Sequence, residues 1–427
     1  MRKKSFWFYI ESYVHVFRKS NDILLYNALN GDTLEYRNKP AVARFAKRVC
    51  SDKHSLVLRV TQYYLSKHPE IADFIKDVRD KFMGDIVDTA VVRQKPFQMM
   101  PILNIQKDLN RVKKFPVQST GENLMAYLNE ISIHINNACD LNCSVCGEAF
   151  KQFLCCHKDE GKQELDIEKI KSLLEEARES SLSQLNILGG NIFKYKDFVE
   201  LVEFLSKWSF PKVYYVHYKN LMEGKPFLNK LLSQSTFLNI LVTPDIEENQ
   251  LKDALNLIKK EALKAAFIFV LQNSDNIEAA QRIISQFKIF TPLLYLYYNK
   301  SNLTLFKEHV FIKDRAMILE TKPTSKDIFT RMKINPIYFG KLYITAHGNI
   351  YCNPNGEKLG RLGIDSLYDI TYTALFSRNN SWRRLRGKVE PCRKCVFSFL
   401  CPPLTNYEYA IGRNNLCHIW KETGMGG

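Results

Sequence analysis

EISIHINNACDLNCSVC, residues 130–146, opens as an alternating apolar segment and runs straight into three cysteines. Ile131, Ile133 and Ile135 recur with a period of two, which predicts a strand. Five more short apolar segments follow: QLNIL (184–188), KVYYVHY (212–218), LNILVT (238–243), AAFIFVL (265–271) and PLLYLYY (292–298). Between them lie segments of helical periodicity, among them DIEKIKSLLEEARE (166–179), FVELVEFLSK (198–207) and NQLKDALNLIKKEAL (249–263). Apolar strands alternating with amphipathic helices predict an α/β fold, a parallel sheet covered by helices and curled into a barrel or part of one. Such an architecture carries its chemistry on the loops that follow the strands. Cys139, Cys143 and Cys146 fall on the first of these loops.

Upstream, FWFYIESYVHVF (6–17), ILLY (23–26) and TLEY (33–36) are β-rich, with a turn at ALNG (28–31). Pro40 opens a helix to about Val49, and further helices are expected across 53–66 and 69–82. Residues 1–85 therefore read as a small β-sheet with helices behind it. Residues 86–125 mix Pro, Lys and polar residues without periodicity and read as a linker. Downstream, 126–335 holds the strand–helix repeat. From 336 to 427 the pattern changes: KLYITAHGNIYC (341–352) reads as a hairpin turning at His347-Gly348-Asn349, followed by an irregular tail rich in Cys, Gly and Pro. So little apolar periodicity calls for another source of stability, and metal ligation would supply it.

The 427 residues are 45% hydrophobic and 25% charged, an ordinary globular balance that excludes wholesale disorder and a fibrous chain. At about 150 residues per domain, two or three domains are expected. Lys and Arg number 61 against 45 Asp and Glu, a formal charge of +16 that favours an anionic partner. The lysines and arginines form no concentrated stripe, so nucleic acid is not the expected partner. No run of apolar residues is long enough for a spanning helix, and no membrane association is expected. MRKKSFWFYIESYVHVF superficially suggests a signal peptide, but Glu11 and His15 interrupt it and no small-residue cleavage site follows. A cytoplasmic location is expected.

The 11 cysteines are an odd number, too dilute for a disulfide scaffold. Five lie between 139 and 156 and five between 352 and 417. Clustered thiols point to metal sites or redox chemistry. In CDLNCSVC the spacing is C-x3-C-x2-C: three thiolates can hold three irons of a cubane iron–sulfur cluster, leaving the fourth iron open. A zinc site is the alternative, with His157 the nearest fourth ligand. In CRKCVFSFLC, Cys392, Cys395 and Cys401 are followed by Cys417, four thiolates for either a fully ligated cluster or a structural zinc.

CDLNCSVC resembles the signature of radical S-adenosylmethionine enzymes. The resemblance, spanning about 125–300, implies a partial (β/α)6 barrel and a [4Fe–4S] cluster on Cys139, Cys143 and Cys146. The open iron binds the amino and carboxylate groups of S-adenosylmethionine, whose reductive cleavage gives a 5′-deoxyadenosyl radical that abstracts a substrate hydrogen. Gly189-Gly190 follows the second strand where the family carries Gly-Gly-Glu; here the third residue is Asn191, which can accept a hydrogen bond but brings no charge. Thr243, Asp245, Gln272 and Asn273 stand at strand ends that in this family contact the cofactor, and Thr243 and Asn273 are the candidates taken forward. Cys155 and Cys156 read as buried thiols beside the cluster loop.

The tail resembles a SPASM domain, the auxiliary-cluster extension of peptide-modifying radical enzymes. Its pattern is C-x(9–15)-G-x4-C, then C-x2-C-x5-C-x3-C and a last Cys. Cys352 and Gly363 fit its start, but Tyr368 and Thr405 stand where two cysteines are expected. Both missing positions belong to the family's first auxiliary cluster. The resemblance therefore implies one auxiliary [4Fe–4S] cluster, on Cys392, Cys395, Cys401 and Cys417, with an electron-transfer role and Cys352 left unpaired. Residues 6–36, including YVHVFRKSNDILLYNALNG, resemble the peptide-binding domain of maturases of ribosomally made peptides and the chaperone of pyrroloquinoline quinone biosynthesis. Together these imply an oxidoreductase that installs a carbon–sulfur or carbon–carbon crosslink in a precursor peptide held by its leader, with a flavodoxin or ferredoxin as reductant. The alternatives are radical oxidation of Cys or Ser in a protein, as sulfatase-maturing enzymes perform, and a non-catalytic peptide-binding homologue.

Overall fold

The computed structural model describes residues 4–99, 124–158, 161–231, 235–377 and 380–418. Most of the expected linker, 100–123, lies outside them. Six strands, β7 (Glu130–His134), β8 (Gln184–Leu188), β9 (Lys212–His217), β10 (Thr236–Val242), β11 (Ala265–Leu271) and β12 (Leu293–Leu296), lie side by side in chain order. Every neighbouring pair among them is parallel. Consecutive order with right-handed crossovers puts all the helices on one face and leaves the other concave. The segments Ile167–Glu176, Phe198–Leu205, Lys225–Leu228, Glu248–Lys260 and Ser274–Phe287 are those helices. This is the expected partial (β/α)6 barrel.

Side-chain alternation divides the two faces. Ile187, Tyr214, Val216, Ile240, Val242, Phe267 and Phe269 join the core beneath the helices. Leu188, Val213, Tyr215, Leu241, Ile268 and Val270 face the concave side. There they meet Val145, Ala149, Phe153 and Cys155, so the cysteine-bearing segment after β7 folds into the mouth of the half-barrel.

The tail does not stand apart from this sheet. β13 (Lys341–Ile344) pairs parallel with β7, and β14 (Asn349–Tyr351) and β15 (Lys358–Arg361) extend it antiparallel. The hairpin turns at Thr345–Gly348, with Gly348 at φ +78°, and Asn349 already opens the second strand. The fully buried Trp382 donates from Nε1 to the Lys341 carbonyl at 2.8 Å and ties the irregular tail to β13.

The β-rich stretch 6–17 spans parts of two strands. β1 (Ser5–Ile10) sits between β5 (Val57–Thr61) and β6 (Gly84–Asp88), while β2 (Val14–Lys19), β3 (Asp22–Asn27) and β4 (Thr33–Tyr36) make a second antiparallel sheet. The helix expected over 53–66 is half strand: VLRVT pairs with β1, and only Gln62–Lys67 is helical. Three of its five residues, Val57, Val60 and Thr61, are β-branched and favour the pleated form, and Val57, Leu58 and Val60 are buried. β6 runs past 85 into the stretch read as linker. The helices Pro40–Val49 and Pro69–Asp80 cover both sheets over one core that includes Phe8, Phe45 and Phe74.

The outer face of the β2–β3–β4 sheet is equally apolar. Phe17, Leu24 and Tyr26 pack on Ile312, Ile318 and Ile328 and on Val396, Phe397 and Leu400 of the cysteine-rich tail. Glu35 pairs with Arg315 at 2.8 Å, and His15 shares a 2.9 Å hydrogen bond with Ser325. Among the described residues no helix is long and apolar enough to cross a membrane.

Candidate functional site: two cysteine-lined cavities

Cys139, Cys143 and Cys146 line one cavity together with Gly190, His217 and Thr243. The loops after β7 and β8 are bound to each other there. Asn136 donates from Nδ2 to the Asn191 carbonyl at 2.9 Å, and the Gly190 amide donates to the Asn136 carbonyl at 2.9 Å. The contact is so close that no side chain fits. A Cβ on Gly189 would stand 2.4 Å from Asn136 Oδ1, and one on Gly190 would stand 2.6 Å from the Ala138 carbonyl and 2.9 Å from Cys139 Cβ. Gly189-Gly190 is thus the condition for holding Cys139 against the second strand end.

Burial, reinforced by the neighbouring Cys146 and Cys139, pushes the Cys143 thiol up to about 11, while Lys219 and the Thr243 hydroxyl act the other way. The Lys158 amide donates to Cys146 Sγ at 3.3 Å, and its ammonium binds the Leu141 carbonyl at 2.8 Å and Asn142 Oδ1 at 3.0 Å. Lys194 pairs with Asp140 in the same loop. Two lysines therefore fasten the loop from outside.

Asn191 does not turn its amide oxygen to the cavity. That oxygen accepts from the Phe193 amide at 3.1 Å, and Nδ2 donates to Glu223 Oε2 at 2.7 Å. Thr243 is buried in the cavity wall, 3.0 Å from His217 Nε2. Asp245 receives a hydrogen bond from the Ser144 hydroxyl at 3.3 Å. Asn273 caps the helix Ser274–Phe287 by accepting from the Asn276 amide at 2.8 Å, and the Gln272 carbonyl accepts from Asn302. Neither Gln272 nor Asn273 is among the cavity's lining residues. Cys155 and Cys156 do line it, their thiols pushed up by burial. His157, the alternative zinc ligand, also lines it but lies flat on Phe150 at 3.7 Å between ring centroids.

Cys392, Cys395, Cys401 and Cys417 converge on a second cavity of about 310 Å³. The first three sit on one tight loop that includes the turn Cys392–Lys394. Cys417 reaches them because its strand-like segment pairs with Ile312: the Ile312 amide donates to the Leu416 carbonyl and the His418 amide to the Ile312 carbonyl, both at 2.9 Å. Ser398 and Asn415, 3% and 4% exposed, line the same cavity, and among the described residues Ser398 Oγ and Asn415 Nδ2 have no hydrogen-bond partner. Orphaned donors in a cavity walled by thiols suit an occupant with sulfur or oxygen acceptors. Among the described residues no group of three or more His, Cys, Asp or Glu is gathered for a single metal ion.

Cys352 lies elsewhere, 5% exposed in the core cluster that also holds Ile350 and Trp382, its thiol pushed up by burial. Tyr368 belongs to the helix Leu367–Phe376. Thr405 caps the helix Asn406–Ile411 and closes a capping box with Glu408. Glu408 in turn makes a buried 2.7 Å ion pair with Arg386, which lies 3.9 Å from Cys392 Sγ. Sequence reasoning missed Lys158, His217, Glu223, Arg386 and Glu408. Only His217, polar at the end of an apolar strand, left a local signal.

No protein-family model matches the chain, and no curated protein matches it. Solved structures do. Streptococcus suis SuiB bound to S-adenosylmethionine aligns at 15% identity over 96% of this chain and 97% of that one, with a TM-score of 0.45. SuiB bound to the precursor peptide SuiA aligns at 14% over 96% and 97%, with a TM-score of 0.43. The anSMEcpe protein with bound AdoMet aligns at 12% over 64% and 84%, with a TM-score of 0.43. None of these three reaches a TM-score of 0.5, and the functional reading is built on this chain's own residues.

Proposed function

We propose that this chain is a radical S-adenosylmethionine oxidoreductase that matures a ribosomally made peptide, installing a carbon–sulfur or carbon–carbon crosslink. The observation that carries it is the convergence of Cys139, Cys143, Cys146, Gly190 and Thr243 on one cavity at the C-terminal ends of the parallel strands. Three thiols and a glycine cradle suit a cubane with one iron left to a small ligand. When bound, such a cluster and S-adenosylmethionine supply a 5′-deoxyadenosyl radical that takes a hydrogen atom from a substrate carbon. The chain's own residues do the placing. Cys139, Cys143 and Cys146 hold the cluster, Gly189 and Gly190 keep the second loop within reach, and Lys158 and Lys194 fix the loop. The apolar concave face, with Val145, Ala149 and Phe153 folded into it, limits water at the barrel mouth.

Cys392, Cys395, Cys401 and Cys417 are assigned to one auxiliary [4Fe–4S] cluster, supported by the cavity between them and by the orphaned Ser398 and Asn415 donors. The domain assignment is 1–85 for leader recognition, 86–125 for a linker, 126–335 for the barrel and 336–427 for the auxiliary domain. β6 crosses the first of these limits, and β13 of the auxiliary domain pairs with β7 of the barrel. A precursor peptide would add as a strand at an exposed sheet edge of the N-terminal region. The charge of +16 suits an acidic leader. The enzyme is assigned to the cytoplasm, with a flavodoxin or ferredoxin as reductant.

The test is 5′-deoxyadenosine release after anaerobic reconstitution, with dithionite or flavodoxin and with synthetic peptides from neighbouring small reading frames. Release that depends on Cys139, Cys143 and Cys146 is expected. Stoichiometric iron without any cleavage would instead favour the non-catalytic homologue.

A further inference from the structure

The ion pair between Arg386 and Glu408 is buried and stands directly against the second set of cysteines. Arg386 is 7% exposed and Glu408 1%. A buried pair of this kind is costly to desolvate and is weak evidence of stabilisation by itself. Glu408 is held in place twice over, accepting from the Thr405 amide at 2.8 Å and from its hydroxyl at 2.7 Å. Arg386 reaches the carbonyls of Pro402 and Pro403 as well as Glu408. Its remaining guanidinium nitrogen, Nη1, points to Cys392 Sγ, and the residue lines the four-cysteine cavity. Thr405 occupies the position where a cysteine was expected. The chain has thus used that position to anchor a carboxylate that aims a cation at the thiols.

We propose that Arg386, oriented by Glu408 and Thr405, raises the reduction potential of the cluster held by Cys392, Cys395, Cys401 and Cys417. This rests on the cluster assignment above. Reduction adds a negative charge to an already anionic cluster, so a fixed cation in a low-dielectric wall stabilises the reduced form more than the oxidised one. Hydrogen bonds to cluster sulfurs act in the same direction, and Ser398 Oγ and Asn415 Nδ2, without a partner among the described residues, can make them. Arg413 donates to Asn415 Oδ1 at 3.1 Å from Nη2, which leaves the Asn415 amide nitrogen for the cavity. A cluster so placed accepts an electron more readily than it gives one.

The experiment is a spectroscopic redox titration of the full-length chain carrying Cys139→Ala, Cys143→Ala and Cys146→Ala, so that only the second cluster is present. Iron is measured first. In this background Arg386→Gln should lower the midpoint potential while iron content stays constant. Arg386→Lys should restore part of the difference. Glu408→Gln should move the potential the other way, because it leaves the cation uncompensated. Arg393→Gln, an exposed cation next in sequence to Cys392, should move it far less because solvent screens it. Unchanged potentials in both Arg386 variants at full iron would overturn the proposal. A background protein that takes up no iron would overturn the cluster assignment itself, and the proposal with it.

Discussion

At Gly190 a single methyl group decides whether the first site forms. A Cβ there overlaps the Ala138 carbonyl and Cys139 Cβ, both held by backbone rather than by flexible side chains. Gly190→Ala should therefore cost about half of the reconstituted iron, the share of one of two clusters, and abolish S-adenosylmethionine cleavage while leaving the far-ultraviolet spectrum intact. Iron analysis checks it. The cysteines and the paired glycines were legible because each set is local in sequence and its chemistry demands one residue type. Asn191 was not. Its oxygen caps Phe193 and its nitrogen holds Glu223, a partner 32 residues away. Asn273 accepts from the Asn276 amide at the start of its helix, the cap role that Asn before a helix commonly takes.

Among the elements, the six barrel strands could be read almost to their ends because each is a short apolar segment, largely buried in all but β12, where Leu293 and Leu294 are exposed. β5 and β6 could not. They are short, they flank β1 from 47 or more residues downstream, and in β6 only Gly84 is fully buried. The helix Asn406–Ile411 depends on its cap: Thr405→Ala should destabilise by about 1 kcal/mol and loosen Glu408, read as a lower Tm of the reconstituted protein. Trp382→Ala should cost about 3–5 kcal/mol, because it empties a buried site and leaves the Lys341 carbonyl without its donor. Its unfolding midpoint in denaturant is the measurement. β2 carries a pH dependence. His15 is 7% exposed between Ser325 and Phe329, and burial lowers its pKa to about 4. The folded chain therefore keeps His15 neutral where the unfolded chain has begun to protonate it. The stability it contributes is complete above the unfolded value near 6.5 and is lost as pH falls from there towards 4. The loss should reach roughly 3 kcal/mol at most and should flatten in His15→Gln, as followed by denaturant melts across that range.

Across the whole molecule, the two cysteine cavities belong to one continuous structure. The sheet that carries the first extends through β13, β14 and β15 into the tail, and the N-terminal sheet packs on the loop that carries the second. A peptide bound at the N-terminal region would thus lie on a body already in contact with the auxiliary site. Neither junction could be read from sequence, since both pair segments hundreds of residues apart. The central claim is that the chain holds two cubanes, one on three cysteines and one on four. It is tested most directly by iron and acid-labile sulfide per chain after anaerobic reconstitution, with zinc measured in parallel. About eight irons are expected, falling to about four when Cys139, Cys143 and Cys146 are replaced by Ala. About four irons in the native chain, with one zinc beside them, would contradict the account of the second site, and no iron at all would contradict both.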